Sequence, residues 1–224
     1  MRATLLTIFV LLFILQEGSS QYFRGTLGFI DGETLECDIR LKIKNSPDKL
    51  IDRFSYKMKY KLPGDDEVQT ANFKDLDFIA ITTDKASIFL RNMYVYYPRI
   101  RKSKPPVKSK TRHWLQYRAG CEEIGGYLAL QEFEIDKKGQ VWEKYLNGMG
   151  EYYVLKEGED APTRIGHVFL YDSPTQNMID KQRKKGLERY FKGDEDGMKL
   201  LEGKTKVTPQ ELTDYLNSRC GNDE

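Results

Sequence analysis

Residues 35–43 read Leu-Glu-Cys-Asp-Ile-Arg-Leu-Lys-Ile, an alternation of apolar and polar side chains that only an extended strand can sort onto two faces. A helix would scatter the same residues around its circumference, so this stretch commits the chain to a half-buried sheet. Asp31-Gly32 stands just before it, between 23–30 and 33–44, and is the short-range hairpin signal whose turn demands a positive φ. The pattern returns at Phe54, Tyr56, Met58, Tyr60 and Leu62, which alternate with Ser55, Lys57, Lys59 and Lys61. Pro63-Gly64-Asp65-Asp66 then turns the chain into 67–73. Further strands are expected at 86–92, 93–97, 113–117, 127–135, 141–146, 152–156 and 166–171. Short Gly-, Asp- or Lys-rich turns, such as Asp136-Lys137-Lys138-Gly139, favour antiparallel neighbours over crossover helices.

Past residue 171 the period changes. Ser173-Pro174 reads as an N-cap with Pro at the first helical position, leading to a helix that ends near Phe191. Thr208-Pro209-Gln210-Glu211 is a capping box, and Leu212, Tyr215 and Leu216 give the helix after it an apolar face. The expected class is α+β: a mainly antiparallel sheet, sandwich or barrel-like, at 21–172, and a small helical appendage at 173–224. The appendage is too short to bury a core alone and is expected to pack on the sheet. With Tyr and Phe plentiful, the core is expected to lean on aromatics more than on aliphatic side chains.

The front of the chain reads as an address. Arg2 precedes an apolar run at 3–15, followed by Gly18, Ser19 and Ser20, which is a secretory signal peptide at 1–20 with cleavage before Gln21. The run of about 13 residues is shorter than the roughly 20 needed to cross a bilayer. The expected product is periplasmic or secreted, with no transmembrane segment after cleavage. Three cysteines remain. Cys37 lies on the apolar side of its alternation and is expected to be a buried thiol. Cys121 and Cys220 can pair or stay free as far as spacing decides.

The chain has 36 basic and 34 acidic side chains, so global charge attracts no polyanion and any electrostatic role must be local. The strongest local feature is Arg99-Ile100-Arg101-Lys102-Ser103-Lys104-Pro105-Pro106-Val107-Lys108-Ser109-Lys110-Thr111-Arg112. Half of it is Lys or Arg and none of it is acidic. Like charges around a stiff Pro-Pro centre keep it in water, and the simplest reading is a solvated loop. Its functional reading is an anion-contact loop formed by Arg99, Arg101, Lys102, Lys104, Lys108, Lys110 and Arg112. No aromatic interrupts the run before Trp114, which argues against a base-stacking platform and against a nucleic-acid partner. Lys57, Lys59 and Lys61, with Arg40, Lys42 and Lys44, suggest a basic sheet face. Pairing of Glu36 and Asp38 with Lys59 and Lys61 is expected to neutralise it.

Chemistry that needs special residues finds few. His113 and His167 form no short-spaced ligand pair, so no metal site is expected. Lys192-Gly193-Asp194-Glu195-Asp196-Gly197 imitates a calcium loop, but Lys takes the first ligand position, and a capped helix start explains its acids better. No nucleophile elbow, phosphate-binding loop or dinucleotide fingerprint is present, and no cofactor or catalytic residue is assigned.

Two segments resemble a known group. Gly25-Thr26-Leu27-Gly28-Phe29-Ile30-Asp31-Gly32-Glu33-Thr34-Leu35-Glu36-Cys37-Asp38-Ile39 resembles the G-x-[IV]-x-x-x-[ND]-G-[DE]-T-[IL]-x-G-x-I opening of uncharacterised exported proteins of Bacteroidota. Cys37 stands where that opening usually has Gly. Leu187-Glu188-Arg189-Tyr190-Phe191-Lys192 and Leu212-Thr213-Asp214-Tyr215-Leu216-Asn217 resemble the helical ending of the same proteins. The resemblance spans the two ends, about a third of the chain. It implies a periplasmic or surface β-rich protein with a helical tail, and no activity. The expected function is a non-catalytic binding module whose partner is an envelope protein or glycan. A carboxylate-based, glycosidase-like hydrolase and a structural accessory subunit are the alternatives.

Overall fold

The computed structural model describes residues 22–44, 57–97, 106–129, 132–136, 138–144, 149–169, 184–185, 188–202 and 209–221. The signal-peptide reading at 1–20 and most of the helix expected after Ser173 lie outside these residues. The described chain is strand-rich. Its first strands are β1 (Phe23–Phe29), β2 (Thr34–Arg40), β3 (Lys42–Lys44), β4 (Lys57–Lys61) and β5 (Gln69–Asn72). A 3-10 turn at Phe73–Asp75 leads to β6 (Leu76–Thr82), β7 (Ser87–Met93), β8 (Tyr96–Tyr97) and β9 (Val107–Lys108). Next come β10 (His113–Gly120), β11 (Ile124–Ala129), β12 (Glu132–Ile135), β13 (Val141–Lys144), β14 (Met149–Lys156) and β15 (Thr163–Phe169). Two short helices, α1 (Glu195–Leu201) and α2 (Pro209–Arg219), follow.

The first hairpin forms where the sequence places it. Gly32 takes a φ of 93°, Phe29 N–H bonds to Glu33 O at 2.8 Å, and the Asp31 carboxylate accepts from Glu33 N–H at 3.1 Å. Twelve strands make one sheet in the order β5-β4-β2-β1-β6-β7-β10-β11-β14-β15-β8-β9. Its neighbours are antiparallel except for a parallel contact of Thr163 with Tyr96. A smaller sheet runs β13-β12-β3. The stretch 33–44, expected as one strand, breaks at Leu41, and β3 leaves the large sheet to pair with β12 through Phe133↔Ile43. β2 and β11 are separated in the large sheet by β1, β6, β7 and β10, yet their continuations β3 and β12 are neighbours. In the same manner β8 continues β7 after two residues and meets β15.

β6 was not expected from sequence, although Leu76, Ile79 and Ile81 make it one of the most buried strands. The supposed aromatic lean of the core is also corrected. The main cluster is led by Leu27, Ile39, Leu41, Leu76, Ile79, Ile81, Ile88 and Leu90. A second, smaller cluster of Val95, Leu115, Tyr127 and Tyr153 is the tyrosine-rich one. Along β10 the two-residue period sends Trp114 to the first cluster and Leu115 to the second, and along β14 it does the same for Tyr152 and Tyr153. These strands are therefore buried on both faces.

The helices join the first cluster through Leu201, Leu212, Tyr215 and Leu216. α2 reaches the sheet closely at Gly126, where a Cβ would stand 2.4 Å from Leu216 Cδ1. Beyond α2, Cys220 is disulfide-bonded to Cys121 at the β10–β11 turn, with Cα atoms 5.6 Å apart. Cys37 is the buried free thiol, as its alternation requires. Asp194 caps α1 by accepting from Gly197 N–H at 3.0 Å, so the calcium-like acids are a helix start. Tyr215 hydroxyl donates to the same Asp194 carboxylate and ties the two helices together.

Candidate anion-contact surface

The end of the basic run is fixed by the backbone around Ser109. Val95 is fully buried and anchors the chain ahead of β8. Its carbonyl accepts from Ser109 N–H at 2.7 Å, while its N–H donates to Ser109 Oγ at 3.0 Å. That hydroxyl donates in turn to Thr111 O at 2.7 Å. These bonds set the positions from which Lys108, Lys110 and Arg112 leave the chain.

Lys108 Nζ donates to Asp160 Oδ2 at 2.5 Å and stands 5.4 and 5.8 Å from the ring centroids of Tyr94 and Tyr96. The hydrogen bond to Asp160 raises the Lys108 pKa, and the bonds from Lys108 and Tyr96 lower that of Asp160. Both groups are solvent-exposed, so the pair fixes geometry more than it adds stability. Arg112 donates to Asp77 Oδ1 and to Asn92 O, both at 3.3 Å, with its guanidinium 5.5 Å from the Tyr94 ring. Arg91 reaches the same Asp77 at 3.5 Å. Lys110 is exposed, as are Tyr94 (39%) and Val107 (40%). Three cations, Lys108, Arg91 and Arg112, thus share two carboxylates, with Lys108 and Arg112 over the exposed Tyr94 ring and Lys110 exposed between them in sequence.

Of the residues expected to contact an anion, Lys108, Lys110 and Arg112 lie on this surface, and Arg99, Arg101, Lys102 and Lys104 lie outside the described residues. The simple solvated-loop picture needs correction at Lys108 and Arg112, which are tied to sheet carboxylates. Tyr94, Arg91, Asp77 and Asp160 were missed in the sequence. The aromatic run Tyr94-Val95-Tyr96-Tyr97 just before the basic residues was the available signal for the ring, whereas the two acids come from β6 and from the approach to β15.

The expected pairing of Glu36 and Asp38 with Lys59 and Lys61 is half right. Asp38 stands opposite Lys61 in register, but Arg40 faces Lys59. Glu36 lies outside the β2–β4 pairing and accepts from Thr26 Oγ1 at 2.6 Å. Asp38 contacts Arg24 at 3.8 Å and Lys61 contacts Asp66 at 3.6 Å.

Beside the surface, in the second cluster, lies a linked polar set. His113 Nε2 is 3.2 Å from Tyr97 Oη, with the two rings edge to face at 6.2 Å. Tyr97 packs against the cluster that holds Tyr153. Tyr153 hydroxyl donates to Glu151, which also accepts from Arg164 Nη1 at 2.8 Å. The Arg164 guanidinium stacks 4.9 Å from the Tyr97 ring centroid. Burial lowers the His113 pKa, opposed by Glu151, and raises those of Tyr97 and Tyr153. The set is a neutral imidazole, two protonated phenols and one ion pair. On the other face Arg118 pairs with Glu143 at 2.6 Å. Among the described residues, no group of three or more His, Cys, Asp or Glu side chains is placed to hold a metal, and no helix is long and apolar enough to cross a membrane. Comparison with protein-family models, with curated proteins and with solved structures finds no match to this chain.

Proposed function

We propose that this chain is an exported, non-catalytic binding module of the bacterial envelope, and that the surface around Tyr94, Lys108, Lys110 and Arg112 takes an acidic partner. In this reading 1–20 is a removed signal peptide, 21–172 a barrel-like β region and 173–224 a helical appendage seated on it. The barrel-like reading is supported by two closures of the pairing pattern. β3 with β12 joins β2 to β11, and β8 with β15 joins β7 to the far side of β14. Such closures tie distant strands together and give a rigid support for a contact surface, with β5, β9 and β13 left at the ends of the two sheets.

The observation that carries the function is the charge surplus at this surface. Asp77 serves both Arg91 and Arg112, and Asp160 serves Lys108, which leaves Lys110 and part of the remaining positive charge for a ligand. Acid-free residues 99–104 continue the run directly. A carboxylated or sulfated glycan fits first, because its repeated anionic groups can meet several fixed cations of this surface at once, the planar guanidinium of Arg112 among them. An acidic protein segment is the other source of the same charge.

The test is retention of the mature protein, from Gln21, on immobilised heparin and on lipopolysaccharide across a salt series. Replacing Lys102, Lys104, Lys108 and Lys110 with Ser should lower the eluting salt and flatten the salt dependence. Equal retention of the variant and the parent protein at every salt concentration sinks the proposal.

A further inference from the structure

We propose that Tyr97 and His113 form an acid-sensitive clasp that holds β8, and with it β9, in the sheet at neutral pH and loosens both in acid. The two residues stand at either end of the basic run: Tyr97 closes β8 and His113 opens β10. β8 is only two residues long. Its backbone is held by the antiparallel pair with β9, the single contact Thr163↔Tyr96 and one bond from Tyr96 N–H to Pro162 O at 2.8 Å. So short a strand depends on its side chains to stay docked.

Those side-chain contacts converge on Tyr97. Its hydroxyl meets His113 Nε2 at 3.2 Å and its side chain packs on the cluster of Val95, Leu115, Tyr127 and Tyr153, while its ring face carries the Arg164 guanidinium. Of the charged and titratable groups around the imidazole, Tyr97 touches it from β8 and Glu151 acts on it from β14, while Tyr153 and Arg164 are bonded to that Glu151. From β7 the residue opposite is Met93, which does not titrate. Glu151 is already compensated by Arg164, so an imidazolium here would gain little attraction and would lose its hydration.

The sign follows from that environment. Docked, His113 prefers to be neutral; released into water, it binds a proton with an ordinary pKa near 6.5. The clasp is therefore at full strength above pH 6.5, and acid favours the released state progressively below it. Lys108 rides on β9, so the same event disturbs its ion pair with Asp160.

The test is amide hydrogen exchange of Tyr96, Tyr97 and Val107, corrected for the intrinsic rate, at about pH 7.5 and about pH 5. Protection at these amides should fall in acid, while protection in β1 and β2 stays level. His113→Gln keeps a neutral hydrogen-bonding group and should abolish the pH response. A pH-independent protection in the parent protein, or an unaltered response in His113→Gln, overturns the proposal. A second readout needs no variant: the His113 ring resonances should titrate below 6.5, in step with the Tyr97 amide. Titration at or above 6.5, or an unchanging Tyr97 amide, overturns it equally.

Discussion

Cys37 sits between Glu36 and Asp38 on β2, with its thiol fully buried. Burial first, and the two neighbouring carboxylates second, push its pKa up to about 11, so thiolate is scarce at neutral pH. Native protein should not react with a thiol reagent at pH 8, and urea without reductant should release one thiol per chain, because Cys121 and Cys220 are bonded to each other. Three thiols per chain in urea would contradict the pairing. Glycines give a second prediction at this scale. A Cβ at Gly25 would lie 2.4 Å from the backbone carbonyl of Ala80, whereas one at Gly126 would meet the movable end of Leu216. Gly25→Ala should cost about 1–3 kcal/mol by urea denaturation, and Gly126→Ala less. Equal losses would show that the β1–β6 approach is softer than drawn. The burial of Cys37 was readable from its alternation; the need for Gly25 was not, since it depends on β6, a strand distant in sequence.

Among the elements, β1, β2 and β4 were legible because one face of each is polar and the period of two stands out. β6 was overlooked because no Gly, Pro or Asn-Gly punctuation separates it from the 3-10 turn, and Asp77, Phe78 and Ala80 blur its alternation. Ile79 on this strand is fully buried, and Ile79→Ala should cost about 2–5 kcal/mol in the urea transition. A loss below 1 kcal/mol would mean that β6 is not central. α2 was announced by its Pro and its apolar spacing, but its docking site was not. Gly126 and Cys121, which receive it, sit on and beside β11, nearly a hundred positions earlier. The disulfide closes a separation of 99 residues. Replacing both Cys121 and Cys220 with Ser should lower stability by about 2–5 kcal/mol. An unchanged midpoint would mean that Leu212, Tyr215 and Leu216 hold α2 without help.

For the whole molecule, the near-neutral charge balance hides an uneven distribution. The basic run was plain in the sequence, since it has no acid across 14 positions. Its partners were not, because Asp77 and Asp160 are brought to it only by sheet pairing over distances of about 35 and 52 residues. The same pairing puts Tyr94 against Lys108 and Arg112 and sets Tyr97 on His113. Strand order thus turned a charged stretch into a surface with a ring, four cations and two acids. On the function proposed above, this surface binds an anionic glycan through the charge left over. Its most direct measurement is equilibrium binding of residues 21–224 to a soluble sulfated glycan over a range of salt, with Lys108→Ser/Lys110→Ser beside the parent protein. Affinity should fall steeply with salt in the parent, and should be weaker with a shallower slope in the variant. Salt-independent binding, or identical slopes for the two proteins, would contradict it.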